Sequence, residues 1–202
     1  MNLRLNKKLL LVSSLFLISL LLFSNLLWAQ NKRELSDYQL GLQHFRAGDY
    51  NAAVADFVKA VAKDPNSFYP HYILGLAYYR LDKFKLAETE LKKAHQINPK
   101  HDRVLVNLGR VYLKQDKAEA VIKVTKQAID INQSNAAAYS VLARAYKDKD
   151  QISQAIANFK QANQLNPKNY YILNNLGYTY IQLGDYQQAV SVLEEAVELD
   201  PN

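Results

Sequence analysis

No cysteine occurs among the 202 residues. That excludes disulfide staples, thiolate metal sites, a cysteine nucleophile and a lipid-modified N-terminal cysteine. Histidine is scarce too: His44, His71, His95 and His101 fall at unrelated positions, and no spacing among them resembles a metal site. A glycine-rich phosphate loop and a nucleophile elbow are both missing. The carboxylates are scattered, so no paired acid and base stands out. The sequence therefore predicts a protein that is not an enzyme and needs no cofactor and no metal. What is present is globular in character, with 49% hydrophobic and 22% charged residues.

The N-terminal thirty residues differ from the rest. Arg4, Lys7 and Lys8 precede an apolar run from Leu9 to Phe23, and the more polar SNLLWAQ follows. This is the layout of a secretory signal peptide. Cleavage after Ala29 would leave Gln30 as the new N-terminus, so residues 1–29 are read as a signal and 30–33 as a short linker. The alternative is an uncleaved membrane anchor, since Leu9 to Ala29 is just long enough to cross a bilayer at about 20 residues. Both place the remainder outside the cytoplasm, in the periplasm or cell envelope, because the basic end stays inside. Removing the three basic residues lowers the net charge from +6 to +3. The basic balance is thus mostly a targeting feature, and no nucleic-acid partner is expected.

From Glu34 onward the chain repeats itself every thirty-four residues. Gly41, Gly75, Gly109, Ala143 and Gly177 stand in register, each preceded by leucine and followed three residues later by His44, Tyr78, Tyr112, Tyr146 or Tyr180. Nineteen residues after each small residue stand Ala60, Ala94, Ala128, Ala162 and Ala196. Twenty-four after it come Pro65, Pro99, Gln133, Pro167 and Pro201. Apolar residues recur at three- and four-residue spacing, which predicts amphipathic helices. The small residue lets two helices approach closely. Gly48-Asp49 and Gly184-Asp185 read as a helix stop followed by an N-cap. Each hairpin is too small to stand alone, so neighbours must stack.

This pattern resembles the tetratricopeptide repeat (TPR) family over Glu34 to Asn202. The leucine, small residue and tyrosine match the first helix of that unit. Ala53, Ala87, Ala155 and Ala189, with Phe57, Leu91, Phe159 and Leu193, match the second. The resemblance implies an all-α, right-handed superhelical solenoid of ten helices in five helix–turn–helix repeats: 34–67, 68–101, 102–135, 136–169 and 170–202. Two departures stand out. Val121, Thr125 and Gln133 break the pattern in the third repeat, where distortion is expected. The family's early tryptophan is replaced by Asp37, His71, Leu105, Tyr139 and Leu173.

The resemblance also implies a concave groove lined by the first helices, at the second, fifth, ninth and twelfth positions of each unit. These spacings share one helical stripe. The groove candidates are Tyr38, Leu42 and Phe45 in the first repeat, and Tyr69, Tyr72, Leu76 and Tyr79 in the second. Arg103 and Arg110 follow, with Val106 and Leu113 on the same stripe, then Arg144, and finally Tyr171, Asn174 and Tyr178. Tyrosine offers broad contact with a polar tip, and the arginines could pair with carboxylates of a bound segment. The carboxylate clamp of some cytosolic members does not fit. Tyr38 and Leu42, Tyr72 and Leu76, or Val106 and Arg110 stand where it needs lysine and asparagine. Val190, Leu193 and Val197 on the last helix suggest an end open to self-association. The expected function is a scaffold or assembly factor holding a protein or peptide segment in the groove. The alternative is a structural subunit joined through that last helix.

Overall fold

The computed structural model describes residues 35–200, and the compact body begins at Asp37. The expected N-terminal signal or anchor lies outside the described residues. Among the described residues there are ten helices and no strand. They pair as α1 (Asp37–Ala47) with α2 (Tyr50–Lys63), α3 (Phe68–Arg80) with α4 (Phe84–Ile97), and α5 (Asp102–Leu113) with α6 (Ala118–Ile131). Then come α7 (Ala136–Asp148) with α8 (Ile152–Leu165), and α9 (Tyr170–Leu183) with α10 (Tyr186–Leu199). No helix among them is long and apolar enough to cross a membrane.

The turn inside each hairpin is set by one left-handed residue at one repeat position. Gly48 and Gly184 have φ of 81° and 86°, and Asp82, Asp116 and Asp150 have φ of 54°, 55° and 57°. Aspartate is among the few L-residues that visit this region at modest cost. In all five hairpins the next residue donates its N–H to a carbonyl five residues back, as in Asp49 to His44 and Lys117 to Tyr112, both at 3.0 Å. This satisfies a carbonyl that the ending helix would leave bare. Asp49 and Asp185 then cap the second helix, their carboxylates accepting from Ala52 and Gln188 at 3.0 and 3.2 Å. Lys83, Lys117 and Gln151 hold that place in the middle hairpins and make no side-chain cap.

Packing follows the small residue. A Cβ on Gly75 would sit 2.7 Å from Leu91 Cγ, and one on Gly41 the same distance from the Phe57 ring. Leu91, Phe57 and Phe159 are fully buried at the matching place of their second helices. The expected distortion of the third repeat is not there. α6 is a regular helix of the same 14-residue length as α4 and α8. Val121 and Thr125 are fully buried in it, and the Thr125 hydroxyl donates to the Val121 carbonyl at 2.7 Å. That bond satisfies the one polar atom the substitution adds. Where Gln133 replaces proline, the turn is held instead by Asn132, which accepts from Ser134 N–H at 3.1 Å, and by Asn135, which caps Ala138 at 3.1 Å.

Polar pairs tie successive elements together. His71, at one of the tryptophan positions, is buried with Nδ1 2.7 Å from Glu90 and Nε2 3.0 Å from the Pro65 carbonyl. Glu88 accepts from Lys92 at 2.6 Å and from Lys117 of the next hairpin at 3.3 Å. Burial pushes the Glu88 carboxyl up, but these hydrogen bonds outweigh it and hold the group below its ordinary value.

Candidate functional site

The first helices of the hairpins enclose one elongated cavity of about 970 Å³. Phe45 of α1 and Tyr171 of α9 both line it, although three hairpins lie between theirs. Helices so far apart can share a cavity only if the stack curves and their faces line the inside of the curve. The α3 wall is Tyr72, Leu76, Tyr79 and Arg80, and the α5 wall is Arg103, Val106, Asn107 and Arg110. A neighbouring cavity of about 330 Å³ adds Ser140, Arg144 and Asn175, with Arg110 and Tyr171 common to both.

The walls are preorganised by contacts between repeats. Tyr72 stacks on Phe68 at 5.7 Å between ring centroids and meets the His101 ring at a tilt of 52°, 5.4 Å away. Its hydroxyl accepts from Asn107 Nδ2 at 3.0 Å, and burial pushes that hydroxyl up, so it stays protonated. The Asn107 carbonyl oxygen in turn accepts from Arg110 at 3.1 Å, which aims the guanidinium. At the other edge the Asp102 carboxylate accepts from Asn132 at 2.7 Å and Asn135 at 2.8 Å. Burial pushes Asp102 up, yet these amides hold it below the ordinary carboxylate range. The Arg103 backbone N–H also donates to it at 2.9 Å, so Asp102 is ionised and held by amides, not by the Arg103 guanidinium.

The arginines are consequently left without counter-ions. Among the described residues, no carboxylate lies within ion-pair distance of Arg80, Arg103, Arg110 or Arg144. Cations elsewhere do pair: Lys63 with Asp37 at 2.5 Å, Lys59 with Asp56 at 3.2 Å, and Lys149 with Glu119. A guanidinium presents five donors in a planar fork suited to a carboxylate. Also among the described residues, no three His, Asp or Glu side chains gather as metal ligands.

Family models match the same stretch of chain. A TPR repeat model matches residues 41–82, and a tetratricopeptide repeat model matches 82–145 and 146–202. The chain belongs to the tetratricopeptide repeat family. No curated protein sequence matches it. Among solved structures, MamA aligns over 80% of this TPR chain and 95% of its own at 23% identity, with a TM-score of 0.71. MamA 41-end from Desulfovibrio magneticus RS-1 gives 0.71 at 22% identity, over 80% and 91% of the two chains. YrrB, described as a TPR protein with an unusual peptide-binding site, gives 0.64 at 18% identity over 86% and 90%. These likenesses show the fold.

Within the TPR frame the groove candidates separate. Phe45, Tyr72, Leu76, Tyr79, Arg103, Arg110 and Tyr171 line the large cavity, and Arg144 the small one. Tyr38 and Leu42 instead pack around Phe57, with the Tyr38 ring 5.9 Å from that of Phe57. Tyr69 and Tyr178 stand exposed beyond the cavities, and Asn174 lines neither. Val106 lines the large cavity from within the core, being almost wholly buried, and Leu113 belongs to the core alone. On α10, Val190 and Val197 are exposed, while Leu193 turns inward and would lie 2.5 Å from a Cβ on Gly177.

Stepping by thirty-four did not reveal Asn107 or the 132–135 turn. Tyr72 bonds not its counterpart Val106 in the next repeat but Asn107, the residue thirty-five later. The polar turn did have a signal, the loss of proline at Gln133, which marks a wall of the cavity and not a defect.

Proposed function

We propose that this chain is a non-enzymatic interaction protein whose concave TPR face holds an acidic segment of another protein. The observation that carries the reading is the row of arginines without counter-ions, Arg103, Arg110 and Arg144, facing walls of tyrosine and leucine. Aromatic walls supply contact area, and unpaired guanidinium groups select carboxylates. The basic, apolar N-terminal sequence supports work outside the cytoplasm, as a scaffold or assembly factor of the cell envelope.

An array of synthetic fifteen-residue peptides of acidic, neutral and basic net charge, each with aromatic residues, tests this. Acidic peptides are retained best by the native chain. Arg110→Ala and Tyr171→Ala each weaken that retention roughly tenfold while leaving helicity intact, since neither side chain is in the core. Retention that ignores peptide charge, or survives both substitutions, rules the reading out.

A further inference from the structure

Charge is segregated along the solenoid. Residues 68–169 carry seventeen Lys and Arg against nine Asp and Glu, a net of +8. Residues 170–202 carry five acids, Asp185, Glu194, Glu195, Glu198 and Asp200, and no Lys or Arg. The acidic end also has an uncovered apolar stripe. Tyr186, Val190 and Val197 on α10 are 67%, 55% and 60% exposed. At 100° per residue, Tyr186, Val190, Glu194 and Val197 fall within an arc of about 80°, with Glu198 beside it. One face of α10 therefore presents an aromatic ring, two valines and two carboxylates. Neither Glu194 nor Glu198 has an ion-pair partner among the described residues.

That face complements the groove in kind. The groove supplies tyrosine and leucine walls with unpaired Arg110 and Arg144. α10 supplies apolar side chains with unpaired carboxylates four residues apart. We infer that the groove of one copy takes the α10 face of a second copy, so that the chains associate head to tail. The inference rests on the reading of the groove as a site for acidic segments, and it names the segment. The two surfaces are different patches of one molecule, so the contact is heterologous. It generates a ring if the rotation closes and an open row if it does not. A two-fold contact of α10 against α10 would bring four glutamates together, which like-charge repulsion opposes.

The test is sedimentation of the full chain in mild detergent. The native chain forms species whose mass grows with concentration and shrinks with added salt, because Coulomb attraction is screened. An α10 variant, Val190→Ser with Glu194→Ala, and a groove variant, Arg110→Ala with Arg144→Ala, each weaken association roughly tenfold or more. All four side chains are on the surface, so both variants keep the native helicity. Mixed together they form a one-to-one pair and go no further, since only one intact groove and one intact α10 face remain. Three results overturn the inference: a native chain that stays monomeric, a groove variant that still associates, or a mixture that does not pair. If a monomeric native chain nevertheless retains acidic peptides through Arg110, the head-to-tail inference fails while the groove reading stands. If both are lost, both fail.

Discussion

At the residue scale, the hairpin turns show how one backbone requirement is met by two side chains. The left-handed position is glycine in the first and last hairpins and aspartate in the middle three. A Cβ in that region costs about 1 kcal/mol, which glycine avoids while losing more chain entropy on folding. Asp116→Gly should therefore raise the melting temperature slightly, by about 1–2 °C for a net gain of about 0.5 kcal/mol. Gln151→Asp should add the cap that Asp49 and Asp185 already make, worth about 1 kcal/mol. Calorimetry of the two variants checks both: a fall for Asp116→Gly would contradict the cost assigned to the left-handed aspartate, and a fall for Gln151→Asp would contradict the cap geometry.

Titration belongs to the same scale. Burial raises the carboxyls of Asp56, Glu88 and Asp102, but their hydrogen bonds outweigh it and all three end below the ordinary value. Groups with depressed folded-state values stabilise fully above the unfolded value and lose that contribution as pH falls through the folded one. The melting temperature should hold steady from pH 7 to 5 and decline below about pH 4. In Glu88→Gln that decline should be shallower, because one of the three proton-linked groups is gone.

At the element scale, stability depends on how near the two helices of a hairpin come. Gly75 faces Leu91, fully buried and flanked by neighbouring repeats, with 2.7 Å available to a Cβ. Gly75→Ala should cost about 1–3 kcal/mol through overpacking, more than the helix-propensity gain of about 1 kcal/mol returns. Gly109 faces the smaller Thr125, and the nearest atoms to a Cβ are at 3.0 Å. There the two effects should nearly cancel, so thermal melts of the two variants should diverge. The contrast also explains what the sequence could and could not tell about the third repeat. Its register was plain from Gly109, Tyr112 and Ala128. That Thr125 would be accommodated was not, because its burial depends on how closely the neighbouring helices pack around the shorter side chain, while its hydroxyl is satisfied by the Val121 carbonyl.

At the scale of the whole molecule, curvature turns a repeated sequence into one site. Five hairpins, their order and the all-α class were readable from the thirty-four-residue step, since periodicity fixes local structure. Which stripe residues face the hollow was readable only in part. Tyr79, Arg110 and Tyr171 line it, whereas Tyr38 packs against Phe57, a contact within its own hairpin that the stripe position alone does not distinguish. The absence of counter-ions around the arginines was not readable at all. It depends on Asp102 being drawn aside by Asn132 and Asn135 across the chain.

The central claim, that the concave face is occupied in the cell, is tested most directly by photocrosslinking from that face. A photoreactive residue placed at Tyr171, with one at exposed Lys123 on α6 as the control, reads occupancy in living cells. The account predicts a discrete adduct from Tyr171 that maps to an acidic segment and disappears when Arg110 and Arg144 are replaced by alanine. Equal adducts from both positions, or a Tyr171 adduct indifferent to the arginines, would contradict it.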